Sequence, residues 1–393
     1  MRFLILNTNY PDFSRWLYTE HPGLEQKTYD EQMRAVLESL FGTADFYSSN
    51  LRKLGYEADD IVANNMFLQG AWATEHGITT QKTRPLQKQC QVILQQGSRL
   101  ADRTPLKHMK PLLRHLFSPV DGRQNSFYNI LAAQINHYKP DVLLNLDLSS
   151  ISTSFLKEMK PHVRLLLGQI ASPLPQGEDL SCYDLIISSL PNLVEHLGGM
   201  GIPSRFQRLA FEPKVLSKLG PRRGEISISF IGQVSPDHQA RINLLNYLCE
   251  RFEVKIWGMG FDQFPTDSPI RRCYVGTDWG VPMYEILNSS KITLNQHIDI
   301  AGPYANNMRL YEATGVGTML ITDSKDNLHD MFEPGKEVVA YRNTEECAQM
   351  IQYYLDHDKE CESIARAGQE RTLRDHTYYQ RMQELAEIVN HLL

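Results

Sequence analysis

"NNMRLYEATGVGTMLITD", residues 306–323, has the outline of a helix start, a glycine turn and a buried strand. Asparagine is a favoured helix N-cap, and "MLITD" is the kind of short apolar run that fills a strand covered on both faces. A helix feeding such a strand is part of a βαβ unit, so the fold turns on how often the pattern repeats. One residue is out of place. Arg309 falls in the first turn of the helix, where the macrodipole is positive and a cation is unfavourable.

Working outward, the pattern repeats throughout. Before it come "KITLN" (291–295), a helix at about 281–288, "VKIWG" (254–258), a helix at about 237–249 and "ISISFIG" (226–232). After it come a strand near Glu337–Tyr341 and helices to the end. The polar, basic "GPRRGE" (220–225) separates this set from an earlier one. That set holds "RFLILN" (2–7), "DVLLNL" (141–146), "VRLLLG" (163–168) and "DLIISS" (184–189), together with "YDEQMRAVLESLFG" (29–42), whose Met33, Val36, Leu37 and Leu40 share a helical face. The alternation predicts an α/β chain of two Rossmann-like, doubly wound parallel-sheet domains facing a central cleft. The first is expected over 1–215 and the second over 225–375, with 376–393 as a closing helix. A length of 393 residues suits two cores better than one.

The composition excludes several partners. The formal net charge is −6, and no run of like charge reaches five residues, so neither nucleic acid nor an anionic membrane is an expected partner. Cys90, Cys182, Cys249, Cys273, Cys347 and Cys361 are scattered, without C-x-x-C spacing, and read as reduced thiols of a cytosolic protein. "MRFLILNTNY" reads as a strand rather than a signal peptide. No apolar run approaches the roughly 18 residues that span a bilayer. A cytoplasmic protein without a transmembrane segment is the expectation.

Ligands of open α/β sheets bind beyond the carboxyl ends of the strands. Those positions hold Gly232-Gln233, followed by a helix with Arg241; Gly258-Met259-Gly260; and Gln296-His297. The helix start at Asn306–Asn307 offers free N–H groups to an anion. Beside it the Arg309 guanidinium could grip phosphate in a bidentate fork, and Glu312 on the same face could take ribose hydroxyls. Phosphate plus ribose describes a nucleotide. The same two residues also fit a plain surface i, i+3 ion pair.

Gly258-Met259-Gly260 lacks the third glycine of a dinucleotide fingerprint and is equally a turn. Walker A, H-E-x-x-H and G-x-S-x-G sequences are absent. Asp356-His357-Asp358 matches the D-x-D that chelates a metal in some sugar transferases. It follows the helical "AQMIQYYL" in a solvated stretch, reads as surface charge, and leaves no metal ligand set.

The run "NMRLYEATGVGTMLITD", with "LHDMFEPGKEVVAYRNTEECAQMIQYYLDH" and "IARAGQERTLRDHTYYQRM" after it, resembles the CgeB-like (spore-maturation-type) glycosyltransferases, which are similar to the broader GT-B class. The resemblance covers most of 295–385. "DFYSSNLRKLGYEADDIVANN" and "LQGAWATEHG" are similar to the domain that often precedes this module. It implies a nucleotide-diphosphate sugar, UDP-linked sugars included, as co-substrate in the second domain and no separate cofactor. It also implies an acceptor (a glycan, a lipid-linked or small molecule, or a protein) in the first domain, and a last helix that crosses back to it.

By the same resemblance Glu312 matches the second glutamate of the E-x7-E motif, whose first glutamate has no acidic counterpart here. Gly232 and Gln233 fit the phosphate-side loop. Trp257-Gly258 and Val275-Gly276 fall at the base pocket, and Arg309 supplies charge for the departing diphosphate. From the residues alone, Arg241, Arg271 or Arg272 could add to that charge, and each equally fits a solvated cation. For a base, Asp147 follows "DVLLNL" at a strand's carboxyl end, where it could equally cap the next helix. His297 suits proton transfer or a hydrogen bond to the donor. Asn9, Tyr10, Asp12 and Gln169 are the expected acceptor side. Two other readings keep a nucleotide site: a nucleotide-sugar epimerase, and a non-catalytic binding protein for maturation.

Overall fold

The computed structural model describes residues 1–78, 122–175, 177–222, 224–235 and 238–393; Cys90 lies outside them. The first sheet contains β1 (Arg2–Asn7), β2 (Glu57–Val62), β3 (Val142–Asn145), β4 (Leu165–Gln169), β5 (Leu185–Ser188) and β6 (Ser204–Phe206). All pairings are parallel, in the order β2-β1-β3-β4-β5-β6. Alternate residues of the central strands feed opposite cores. Phe3, Ile5, Val142, Leu144 and Leu167 pack on the helix Phe46–Lys53 and its surroundings. Leu4, Leu6, Leu143, Leu166 and Ile186 meet helices on the other face. Burial on both faces is why these strands read as continuous apolar runs. The amide-rich and hydroxyl-rich tips Asn7-Thr8-Asn9 and Asn145 break those runs at the carboxyl edge.

The second sheet contains β7 (Ile226–Ile231), β8 (Val254–Trp257), β9 (Tyr274–Gly276), β10 (Ser290–Leu294), β11 (Met319–Asp323) and β12 (Val339–Tyr341), in the order β12-β11-β10-β7-β8-β9 and again all parallel. This is the strand order of the dinucleotide fold, reversing between β7 and β10; the first sheet has the flavodoxin-like order, reversing between β1 and β3. At each reversal the flanking connections leave to opposite faces and open a crevice at the carboxyl edge. Three edge strands, β2, β6 and β9, go beyond the sequence expectation. Two are only three residues long and β2 is acid-rich, so their apolar signal is weak.

The carboxyl edges of the two sheets face each other. Trp279, beyond β9, packs with Tyr10, Phe13 and Phe41 of the first half, at ring-centroid distances of 4.8 Å to Phe41 and 6.1 Å to each of the others. Asn192, beyond β5, reaches the Ile300 carbonyl at 3.5 Å. The chain also returns from the second half to the first. The backbone of Phe211 bonds that of His376 and Tyr378, at 2.9 and 3.0 Å. The last helix, Tyr378–Leu392, then packs on the helix Phe46–Lys53, with Tyr378 against Phe46 and Tyr47, and Asn390 donates to the Tyr56 hydroxyl. No helix among the described residues is long and apolar enough to cross a membrane.

Candidate functional site

At the reversal of the second sheet, the loop after β7 and the loop after β10 are tied by one side chain. Arg241 donates from Nη1 to the Gln233 carbonyl (2.5 Å) and from Nη2 to the Gln296 carbonyl (2.7 Å). Burial lowers its pKa from the ordinary arginine value. Gly232 sits beside it. A β-carbon on Gly258, whose φ is +137°, would lie 1.7 Å from the Gly232 carbonyl oxygen. The Gly-Met-Gly segment therefore answers to loop-on-loop packing, and Gly258 N–H is already spent on the Gly276 carbonyl at 2.9 Å. Of the expected base-pocket residues, Trp257 is buried in the core and Val275 is 56% exposed on an edge strand.

The helix of the opening stretch runs from Met308 to Gly315 with Asn307 as N-cap. The Asn307 carbonyl oxygen of the side chain accepts from Leu310 N–H (3.2 Å), and its amide donates to Asn295 Oδ1 (2.8 Å). Asn295 in turn donates to Thr322, and its backbone carbonyl accepts from the Tyr341 hydroxyl. The helix start is thus fastened to the ends of β10, β11 and β12, with Asn306 buried beside it.

Arg309 and Glu312 do form an ion pair, Nη1 to Oε2 at 2.9 Å. It is no surface pair: their side chains are only 12% and 8% exposed. Tyr284 donates to the other Glu312 oxygen at 3.4 Å, and the Met283 sulfur lies 3.6 Å from the guanidinium. The carboxylate offsets the unfavourable place of the cation on the dipole. Arg309 Nε is buried without a partner among the described residues. Gly315 faces the Phe211 ring rather than the crevice.

His297, three residues beyond β10, has a side chain with no exposed surface. Its Nδ1 lies 2.6 Å from Asp323 Oδ1, which also accepts from the His297 backbone N–H at 3.0 Å. Burial alone would raise the Asp323 carboxyl; the bonds from His297 and the nearby Lys325, 3.4 Å from Oδ2, outweigh it and hold the group below its ordinary value. His297 Nε2 is buried with no partner among the described residues.

Across the cleft, Asp147 accepts from Thr8 Oγ1 (2.5 Å) and from the backbone N–H groups of Ser149 and Ser150 (2.9 and 3.0 Å). One of its oxygens orders the turn to Ser150, and the other is engaged by Thr8, beyond β1. Gln169 accepts from the Tyr47 hydroxyl at 2.7 Å. The Asn9 backbone is clamped by Asn64, while its side-chain Nδ2 is buried without a partner among the described residues. Tyr10 is 56% exposed beside Phe41. Asp12 sits apart, in a solvent-facing pair with Arg15.

The structure thus gathers Gly232, Gln233, Arg241, Asn306, Asn307 and His297 at one crevice, and Asn9, Tyr10 and Asp147 at the other. The residues that sequence reasoning passed over are Thr8, Trp279, Asn295 and Asp323. Their signal, polar or aromatic residues at strand ends, becomes specific only once the register is known. Among the described residues no group of three or more His, Cys, Asp or Glu could hold a metal ion. Asp358 pairs with Lys291 at the amino end of β10, the edge opposite the crevice.

The chain is similar to the Anabaena protein HepE in complex with UDP and glucose, with 11% identity, a TM-score of 0.58 and all of both chains covered. It is similar to sucrose-phosphate synthase of Thermosynechococcus elongatus, with 11% identity, a TM-score of 0.57, and 100% and 99% of the chains covered. A glycosyltransferase of Rickettsia africae gives 11% identity and a TM-score of 0.55, with 100% and 98% covered. The fold is GT-B. Within this GT-B chain, residues 241–387 match a family model described as glycosyl transferase-like. The match takes in β10, the Arg309 helix and β11. No curated protein matches the sequence.

Proposed function

We propose that the protein is a glycosyltransferase, of the CgeB-like kind, that moves a sugar from a nucleotide-diphosphate sugar to an acceptor hydroxyl in the cytoplasm without a metal. The observation that carries this reading is the glycosyl transferase-like match at 241–387, which falls on the half that builds the crevice at the β7/β10 reversal. HepE, of the same fold, is seen with UDP and with UDP-glucose, and a UDP-linked sugar is the donor we favour.

In this reading the half over 225–375 holds the donor and the half over 1–215 the acceptor. The diphosphate docks at the Asn306–Asn307 helix start, with Arg309 and Arg241 as its positive charge. Arg309 contributes through the donors left free by Glu312, and Glu312 shares its carboxylate with the ribose. Gly232, Gln233, Val275 and Gly276 border the nucleotide, while Trp257, buried in the core, and Gly258, packed against Gly232, are left out. Asn9, Tyr10 and Gln169 face the acceptor, while Asp12, turned to solvent, is left out. The acceptor hydroxyl attacks the anomeric carbon as the bond to the diphosphate oxygen breaks. Its proton passes to Asp147, which gives up one of its present bonds.

A melting-temperature screen against UDP, GDP, ADP and CMP, and their common sugar conjugates, tests the reading. One nucleotide is expected to raise the melting temperature by linkage, and its sugar conjugate to be consumed with an acceptor hydroxyl. The reading falls if no nucleotide stabilises the chain, or if the conjugate is isomerised with no acceptor present.

A further inference from the structure

The His297–Asp323 pair does more than fill space at the end of β10. One Asp323 oxygen receives both the backbone N–H and the ring Nδ1 of His297, which fixes the ring plane and places the proton on Nδ1. In the neutral ring Nε2 is then a hydrogen-bond acceptor. The two nitrogens of an imidazole point in diverging directions, so with Nδ1 on Asp323 the acceptor faces away from β11. It has no protein partner among the described residues, and the side chain has no exposed surface. A buried acceptor left unpaired costs free energy unless a ligand or water supplies the donor. The place is telling: β10 borders the crevice at which the strand order reverses.

We propose that His297 Nε2 accepts a hydrogen bond from a hydroxyl of the transferred sugar, and that Asp323 is the positioning residue that holds the ring for it. This rests on the glycosyltransferase reading above. Asp323 acts only through His297, and Lys325, beside its second oxygen, keeps the carboxylate anchored on the far side. The contact concerns the sugar and not the nucleotide. His297 therefore serves donor recognition, while the proton of the acceptor goes elsewhere.

The test compares the affinity of the full chain for the best nucleotide diphosphate of the screen with that for its sugar conjugate. His297→Ala and Asp323→Ala are each expected to lose about tenfold on the sugar conjugate and less than twofold on the bare nucleotide. The double variant should lose no more than the worse single one, since the two residues form one unit. His297→Gln, whose side-chain carbonyl can approach the Nε2 position, should recover part of the loss, and it covers the case in which an alanine variant fails to fold. Monodeoxyfluoro conjugates locate the contact: wild type should lose affinity for one of them, because fluorine cannot donate. Equal losses on nucleotide and conjugate would mean a phosphate contact and overturn the proposal. So would unchanged affinities in correctly folded variants. If wild type binds neither probe, the glycosyltransferase reading fails first, and the two failures are told apart.

Discussion

Gly280 lies so close to Ser39 that a β-carbon on it would stand 2.0 Å from the Ser39 carbonyl oxygen. That carbonyl also accepts from Val281 N–H at 2.9 Å, so the two halves touch backbone to backbone beside Trp279. Gly280 has φ of +59°, which a side chain adopts only under strain. Gly280→Ala should therefore cost roughly 2 kcal/mol or more, from strain plus the parted contact. Gly276→Ala, whose β-carbon meets nothing within 4 Å, should change the unliganded protein by less than about 0.5 kcal/mol. Denaturant melts of both variants check this; equal stability would show that the halves separate freely at Ser39.

The buried Arg309–Glu312 pair sets a second expectation. Removing one partner of a buried pair leaves an uncompensated charge, at about 3–5 kcal/mol, whereas an apolar replacement of both is far milder. Arg309→Met should lower the melting temperature of the unliganded protein, and Arg309→Met with Glu312→Leu should recover most of it. If the pair also serves the nucleotide, both variants lose the ligand-induced rise. A double variant that keeps the full rise would confine the two residues to a structural role.

Two buried groups pull stability in opposite directions over one pH range. Burial pushes the Asp60 carboxyl up to about 7, against the pull of its bond from Ser48. A folded value above the unfolded one, near 4, means stability falls as pH rises from about 4 through 7. Burial takes His376 down to about 4, helped by Arg381 and Arg371 and opposed by its bond to the Met331 carbonyl. A folded value below the unfolded one, near 6.5, means stability falls as pH drops through the same range. Asp60→Asn should leave a protein that gains stability steadily from pH 4 to 7, and His376→Gln one that loses it. Melting temperatures at pH 4.5 and 7.5 check both slopes.

Chelation separates the D-x-D sequence from the chemistry. Asp358 is bonded to Lys291 at the amino edge of the second sheet. Transfer should persist in EDTA, and Asp358→Asn should leave nucleotide affinity within twofold. Activity lost in EDTA and restored by manganese would contradict this.

Much of the architecture was legible because strands covered on both faces must be apolar throughout. "RFLILN" and "ISISFI" coincide with β1 and β7, and "YDEQMRAVLE" with a helix whose Thr28 and Glu31 form a capping box. The edge strands β2, β6 and β9 were not legible, since a strand with one neighbour needs fewer apolar residues; β12, also at an edge, was, within the stretch Glu337–Tyr341. The spacing of Arg309 and Glu312 announced their pairing. Their burial depends on Met283 and Tyr284, from a helix earlier in the chain, which spacing cannot show. Likewise the Asp323 partner of His297 follows from the alignment of Leu294 with Ile321 in neighbouring strands. The glycines around Met259 left turn and ligand loop open, because a backbone approached by a ligand and one approached by another loop demand the same missing side chain.

The ladder between Phe211 and His376–Tyr378 sets how the halves can move. Both passages of the chain from one half to the other run through this seam, side by side and hydrogen-bonded. Relative rotation then pivots about one line, like a door on its post, and the largest travel falls at the rim farthest from it.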